Sequence, residues 1–232
     1  MVDGGSDDGT YEMIENDFPS VMLFRESNVY WAEGMRLAWT NSIDDLCDYY
    51  LLLNDDLDLY EDSIENALKS LEDADQRTIL VGKVKSASSD KIIYGGLERF
   101  KKYTKLNFQL SESTSAVFST FNANFVLVPS NLVDEIGILH QRFTHSMADI
   151  EYGLRATRSG VQIIQTPDFV GESEYNFKWK RESTSFAIKG FRYILFHPKG
   201  LPIKEWLFLS RKYGGPTWPL NFLFRYFKML GK

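Results

Sequence analysis

The chain has one cysteine, Cys47, among its 232 residues, so no disulfide framework can form within it and a reducing compartment such as the cytosol is expected. Long apolar runs are also missing. The most continuous, Tyr49 to Leu53 and Phe125 to Pro129, fall far short of the roughly 20 residues that span a bilayer, so no transmembrane helix is expected. The opening Met-Val-Asp-Gly-Gly-Ser-Asp-Asp-Gly-Thr is acidic where a secretory leader is basic and then apolar. There is no nucleophile elbow, no Walker lysine loop, no Cys/His zinc spacing and no dinucleotide G-x-G-x-x-G. Internal repeats and low-complexity segments are absent as well.

What is present, 44% hydrophobic and 25% charged residues, fits a soluble globular chain. The net charge of −6 hides an asymmetry. Residues 178–232 carry 12 Lys and Arg against Glu182 and Glu205, a balance of +10, which leaves −16 on the rest. An acidic body argues against nucleic acid as a partner, because neutralising phosphates needs Lys and Arg where the polyanion sits. The basic tail interleaves aromatics such as Phe191, Tyr193, Phe196, Trp206, Phe208, Trp218, Phe222 and Phe224 with its charges. That pattern suits a peripheral membrane contact or a packed helical cap, and both readings stay open.

Strand-like and helix-like stretches alternate, the signature of an α/β protein. Helices are expected over 10–17, 33–43, 61–71, 131–137 and 148–159, and strands over 21–24, 49–53, 79–84 and 161–164. The segment 92–128, broken by Gly95-Gly96, reads as several short strands or a hairpin. Prolines at 198, 202, 216 and 219 divide the tail into two or three short helices. A soft boundary near Asn176 separates a body, residues 1–176, from a C-terminal extension, residues 177–232.

Three acidic clusters are expected at the carboxyl ends of strands, where open α/β sheets place their functional loops. The first, Asp3 to Thr10, is a Gly-rich turn: it either lets backbone approach a ligand while a carboxylate accepts bonds from a nucleobase or ribose, or serves as a capped strand-to-helix turn. The second, Asn54-Asp55-Asp56-Leu57-Asp58, closes an apolar strand. Carboxylates there repel unless a hard cation such as Mg²⁺ or Mn²⁺ joins them to substrate phosphates; a helix-capping loop is the plainer alternative. The third is Ala148-Asp149-Ile150-Glu151-Tyr152-Gly153-Leu154-Arg155, in which Asp149 and Glu151 point in different directions on a helix. Asp149 is a candidate general base or a helix N-terminal acid, and Arg155 a structural ion-pair partner. His140, His145 and His197 read as surface or packing residues.

In combination the clusters resemble the family 2 glycosyltransferases of the GT-A fold. Val2 to Thr10 is similar to their V-D-D-G-S-x-D-x-T turn, Leu53-Asn54-Asp55-Asp56 to their D-x-D element, and Ala148-Asp149-Ile150-Glu151-Tyr152-Gly153-Leu154-Arg155 to their E-D-x-x-L-x-x-R helix. Asn122-Ala-Asn-Phe-Val-Leu-Val-Pro129 is similar to an acceptor-side segment. The resemblance spans about residues 2 to 172 and implies a mixed central sheet flanked by helices, with a helical basic-aromatic extension. It implies Asp3, Gly5, Ser6, Asn28, Arg36, Asn54 and Asp55 on the donor nucleotide, and Asp56 on a divalent metal, Mg²⁺ or Mn²⁺. Asn122 and Asn124 fall on the acceptor side, with Asp149 as the inverting catalytic base. The implied partners are a nucleotide-sugar and a glycan or lipid-linked acceptor in cell-surface polysaccharide synthesis, at the cytoplasmic face of a membrane.

The sequence departs from that family in four places. The strand and helix that open the family fold are absent, since the acidic turn begins at residue 3; Asn54 and Ala148 replace acids; and Glu172 stands where a metal-binding histidine is common. The first departure motivates an alternative, a truncated and inactive nucleotide-sugar or glycan-binding module. A third reading takes Asp56-Leu57-Asp58 as a phosphatase-type nucleophile pair.

Overall fold

The pattern of Thr78–Ser86 (β5), with all but one residue buried, marks the middle of a sheet, because only a strand covered on both faces is buried without alternation. In the computed structural model, which describes residues 1–43, 47–100, 105–114, 116–174 and 188–230, β5 lies at the centre of a six-stranded mixed sheet. Its order is Tyr49–Leu53 (β3), Phe125–Pro129 (β10), β5, Gln162–Ser173 (β11) and Asp58–Leu59 (β4), with Ser89–Tyr94 (β6) also paired to β5. Only the β5–β11 pair within it is parallel.

Side chains one residue apart leave this sheet on opposite faces, so two cores form. Leu52, Ile79, Val81, Val126 and Val128 face one way and pack with Ala32 and Trp39 of Trp31–Ser42 (α2) and Tyr152 of Ala148–Arg158 (α5). Leu80, Val84, Phe125 and Leu127 face the other way, against Ala67 of Ser63–Lys69 (α3). The remaining elements are Val2–Asp3 (β1), paired in parallel with Phe24–Arg25 (β2); Thr10–Asp17 (α1); Ser130–Ile136 (α4); and a small sheet of Gly96–Arg99 (β7), Phe108–Leu110 (β8) and Thr120–Phe121 (β9).

The C-terminal part folds into Ile188–Phe196 (α6), Ile203–Tyr213 (α7) and Trp218–Leu230 (α8). Ile194, Leu201, Trp206, Leu209 and Tyr213 belong to the same buried cluster as the sheet, so the tail is packed on the body. The expected boundary near Asn176 lies outside the described residues.

The α/β class, the expected helix 10–17 and the expected strand 49–53 agree with the structure. Several boundaries differ, two of them near the N-terminus for clear physical reasons. Residues 21–24 do not form the expected strand: Val21 and Met22 are exposed, and pairing begins only at Phe24, opposite Val2. Helix α2 starts at Trp31 and not at Glu33, because the Glu33 carboxylate reaches back to accept the backbone N–H of Tyr30, as the third residue of a capped helix does.

Candidate functional site

Strands β3 and β10 run antiparallel with Leu53 opposite Phe125, so the turn that leaves β3 meets the segment that enters β10. The backbone N–H of Asn54 donates to the Asn124 carbonyl at 3.0 Å, and the Asn124 amide nitrogen approaches Asp56 Oδ1 to 3.5 Å. One residue earlier, the N–H of Ala123 donates to Asp149 Oδ2 at 3.1 Å, and the Asn122 side chain bonds the same carboxylate. Asn122 to Asn124 therefore join two of the three acidic clusters. Asn124 is 1% exposed and its Oδ1 is buried without a partner.

Asp149 sits in the first turn of α5, with Oδ1 accepting its neighbour Ile150's N–H at 2.8 Å. Here the strand-end expectation is corrected. The helix is entered from the long segment 137–147 after α4, through Met147 in the left-handed region (φ 69°), and not from the end of a strand. What brings Asp149 to the site is the contact of α5 with β9. Gly153 lies so close to Thr120 that a Cβ there would stand 2.4 Å from its Oγ1, and Phe121 meets the Tyr152 ring edge-on.

The first cluster is a turn that holds itself together. Ser6 donates to Asp3 Oδ1 from its N–H at 2.9 Å and from its hydroxyl at 2.6 Å, while the buried Asp3 Oδ2 lies 3.6 Å from Arg25 Nε. Gly5 has φ +92°, a conformation that costs other residues, and its α-carbon side faces Ser27. Residues 27–31 then carry the connection onward. Asn28 is exposed in the left-handed region, and the Trp31 indole donates to Asn54 Oδ1 at 2.7 Å.

Arg36 is engaged elsewhere: its Nη1 donates to the carbonyls of Phe143 and His140, at 2.9 and 3.3 Å. Arg155 is structural as expected, donating to the carbonyls of Ile136 and Ile138 and pairing with the buried Glu151 at 3.2 Å. Glu151 also accepts from Tyr213 and Lys212 of α7, so the two carboxylates of the third cluster are turned to different tasks. Glu172 is held by Lys85 at 3.6 Å and the Tyr60 hydroxyl at 3.3 Å.

The electrostatics separate these acids. Desolvation and then the adjacent Asp55 carboxylate raise Asp56 above the usual carboxylate range. Desolvation raises Asp149 too, against the hydrogen bonds from Ala123, Ile150 and Asn122 that favour its ionised form. Asp3 goes the other way, lowered chiefly by the Ser6 hydroxyl and N–H.

No family model matches the chain, and no curated protein matches it.

Among the described residues no group of three or more His, Cys, Asp and Glu gathers to hold a metal ion. The donors on offer are the adjacent carboxylates of Asp55 and Asp56, both reachable from solvent. That set fits a hard divalent cation taking one or two carboxylates and completing its shell with phosphate oxygens and water, and it does not fit a cation held by protein alone.

Sequence reading missed Trp31 and the ring cluster beside it. The Tyr30 ring meets His145 and His197 edge-on at 5.9 and 5.8 Å, and Tyr193 stacks on His197 at 4.1 Å. Burial, with Lys199 and His197 nearby, pushes His145 down to about 4, so its imidazole is neutral at neutral pH; its Nδ1 is buried without a partner. A Tyr-Trp pair opening α2 just before its Glu was the available signal.

Proposed function

We propose that this chain is a metal-dependent inverting glycosyltransferase, moving a sugar from a nucleotide-sugar to a glycan or lipid-linked acceptor in cell-surface polysaccharide synthesis. The observation that carries the reading is the bridge at Asn122 to Asn124, which ties the Asp56 turn to Asp149 and so brings a cation-type carboxylate and a base-type carboxylate to one place. That both acids are raised by their surroundings supports the same reading.

In this reading Asp3 and Ser6 shape the turn that receives the donor nucleotide, with Gly5 supplying its left-handed bend against Ser27. Asp56, with Asp55, would hold the divalent cation, whose charge offsets that developing on the leaving diphosphate. Asp149 takes the proton of the acceptor hydroxyl as its oxygen attacks the anomeric carbon and the nucleoside diphosphate departs. A carboxylate raised toward the working pH is a better base than an ordinary one. Ala123, Ile150 and Asn122 fix its direction.

Thermal unfolding with Mn²⁺ and a panel of UDP-, GDP- and dTDP-sugars tests the donor site, since a ligand of the native state raises its stability. Transfer assays then compare Asp149→Asn and Asp56→Asn. Asp149→Asn is expected to keep the ligand-induced shift and lose about 10²–10⁴-fold in turnover. Asp56→Asn should lose the metal-dependent shift while unfolding no earlier than the parent when no ligand is present. Full turnover by Asp149→Asn refutes the assignment of the base. A shift without turnover on any acceptor supports the binding-module alternative.

A further inference from the structure

Helix α8 is apolar on two sides, and among the described residues only one of them is covered. Phe222, Tyr226 and Met229 pack on the main core, anchored by the Trp206 indole to the Phe222 carbonyl at 3.2 Å and the Tyr226 hydroxyl to the Leu201 carbonyl at 3.0 Å. Leu220, Leu223, Phe224 and Phe227 are 70%, 52%, 66% and 68% exposed. Their spacing of i, i+3, i+4 and i+7 makes one continuous stripe along the helix. The anchors fix which face points outward, so the stripe is a property of the folded chain.

Its charge setting says what covers it. Residues 206–232 contain five Lys and Arg and no acid, in a protein whose other part is strongly acidic. Arg225 and Lys228 flank a cleft of about 300 Å³ whose apolar wall includes Leu106, Trp206 and Phe224. Apolar side chains beside unneutralised cations match a surface that is apolar within and anionic at its boundary. A second copy would bring basic face against basic face. With 13 residues, α8 is about 20 Å long, too short to cross a hydrocarbon core of about 30 Å, and among the described residues no helix is long and apolar enough to span a membrane. A helix of this kind lies in the interface plane.

We propose that α8 docks the protein on an anionic lipid bilayer, with Leu220, Leu223, Phe224 and Phe227 entering the acyl boundary and Arg225 and Lys228 meeting lipid phosphates. The inference does not rest on the transfer reading. The acidic remainder of the chain is repelled by the same surface, which leaves the basic helix as the side of contact.

Cosedimentation of the full chain with vesicles of phosphatidylcholine alone, or of phosphatidylcholine with phosphatidylserine, is the test. The anionic vesicles should pellet the protein, and added salt should weaken that binding. One basic side chain near such a surface is worth about fivefold in affinity, so Arg225→Ala with Lys228→Ala should weaken partitioning roughly 30-fold. Leu223→Ser with Phe227→Ser should weaken it roughly tenfold or more. Both variants should keep the parent's circular dichroism and melting point, because the replaced side chains face outward. Failure of the folded chain to bind anionic vesicles overturns the proposal, as does equal binding to both vesicle types. So does a concentration-dependent dimer, seen by light scattering, that the Leu223/Phe227 variant dissociates while vesicles leave the parent in solution.

Discussion

Glu151 is wholly buried and still ionised, which makes it the most testable joint between the body and the C-terminal helices. Its Oε1 accepts from the Tyr213 hydroxyl at 2.6 Å and from Lys212 at 3.0 Å, and its Oε2 faces Arg155 at 3.2 Å. Glu151→Ala removes one partner from a buried ion pair and leaves two cations uncompensated, a change that costs about 3–5 kcal/mol. Lys212 is more than a third exposed and can rehydrate, so the lower end applies, about 3 kcal/mol. In a chain of this length that lowers the melting point by about 6–12 °C. Tyr213→Phe removes only a hydrogen bond to the charged group and should cost about 1.5–3 kcal/mol. Urea titrations of the two variants and their double mutant give the coupling directly, expected between about 0.5 and 3 kcal/mol. If Glu151→Ala stayed within about 1 kcal/mol of the parent, the tail would not be fastened to α5 through this residue.

The same residue sets a pH signature. Burial opposes its ionisation, but Arg155, Tyr213 and Lys212 together outweigh burial and hold the carboxyl below its usual range. A carboxylate lowered in the folded state contributes its full stabilisation above its unfolded pKa, about 4.3, and loses it as pH falls through the folded value. The melting-point gap between the parent and Glu151→Gln should therefore be constant near neutrality and close below about pH 4.

Two more outcomes follow from close packing and from the first turn. Gly153→Ala gains up to about 1 kcal/mol of helix propensity, yet its new Cβ would stand 2.4 Å from Thr120 Oγ1 and 2.8 Å from Thr120 Cα. Overpacking of this kind costs about 1–3 kcal/mol, so net destabilisation in a chemical melt is expected, and a stabilised variant would contradict the contact of α5 with β9. Asp3→Ala strands the Ser6 N–H and hydroxyl that now meet Asp3 Oδ1, at about 1–3 kcal/mol. Because Ser6 lowers Asp3, that loss should be full at pH 7 and shrink below about pH 4; a pH-independent loss would refute the assignment.

Much of the fold was legible because burial on two faces writes plainly. The core of β5, Ile79 to Val81, is apolar without alternation and is covered on both faces, whereas Tyr49-Tyr-Leu-Leu-Leu53, with the same pattern, forms the outer strand of the sheet with Leu52 buried and Leu53 exposed. The length of β11 was not legible beyond Ile164, since its later half carries Pro167 and Asp168 and pairs with β5 through shifted register. Pairing partners, and not side-chain pattern, set that boundary. At the site, Asp56 and Asp149 were visible as acids at plausible positions, but their link through Asn122 to Asn124 depends on the antiparallel pairing of β3 with β10 and on the seating of α5 against β9, both of which join residues distant in sequence. Trp31 was missed because an indole at a helix start reads as packing, and only its bond to Asn54 gives it a place beside the Asp56 turn.

Asp149 and Glu151, two residues apart in one helical turn, show what sequence spacing leaves out. Local sequence says only that they diverge. The surroundings then give them opposite fates: Glu151 meets two cations and a phenol and is lowered, whereas Asp149 meets backbone N–H groups and an amide in a desolvated place and is raised. Ionisation of a lowered acid stabilises the fold; ionisation of a raised acid costs stability, and that cost increases as pH rises from the unfolded pKa to the folded one. Asp3 belongs with Glu151, and Asp56 belongs with Asp149. Burial raises Glu205 of α7 as well, where it accepts the Thr144 N–H, so a raised acid marks a candidate and its neighbours decide. Asp56 and Asp149, joined through Asn122 to Asn124, are therefore the pair to substitute first in a search for activity.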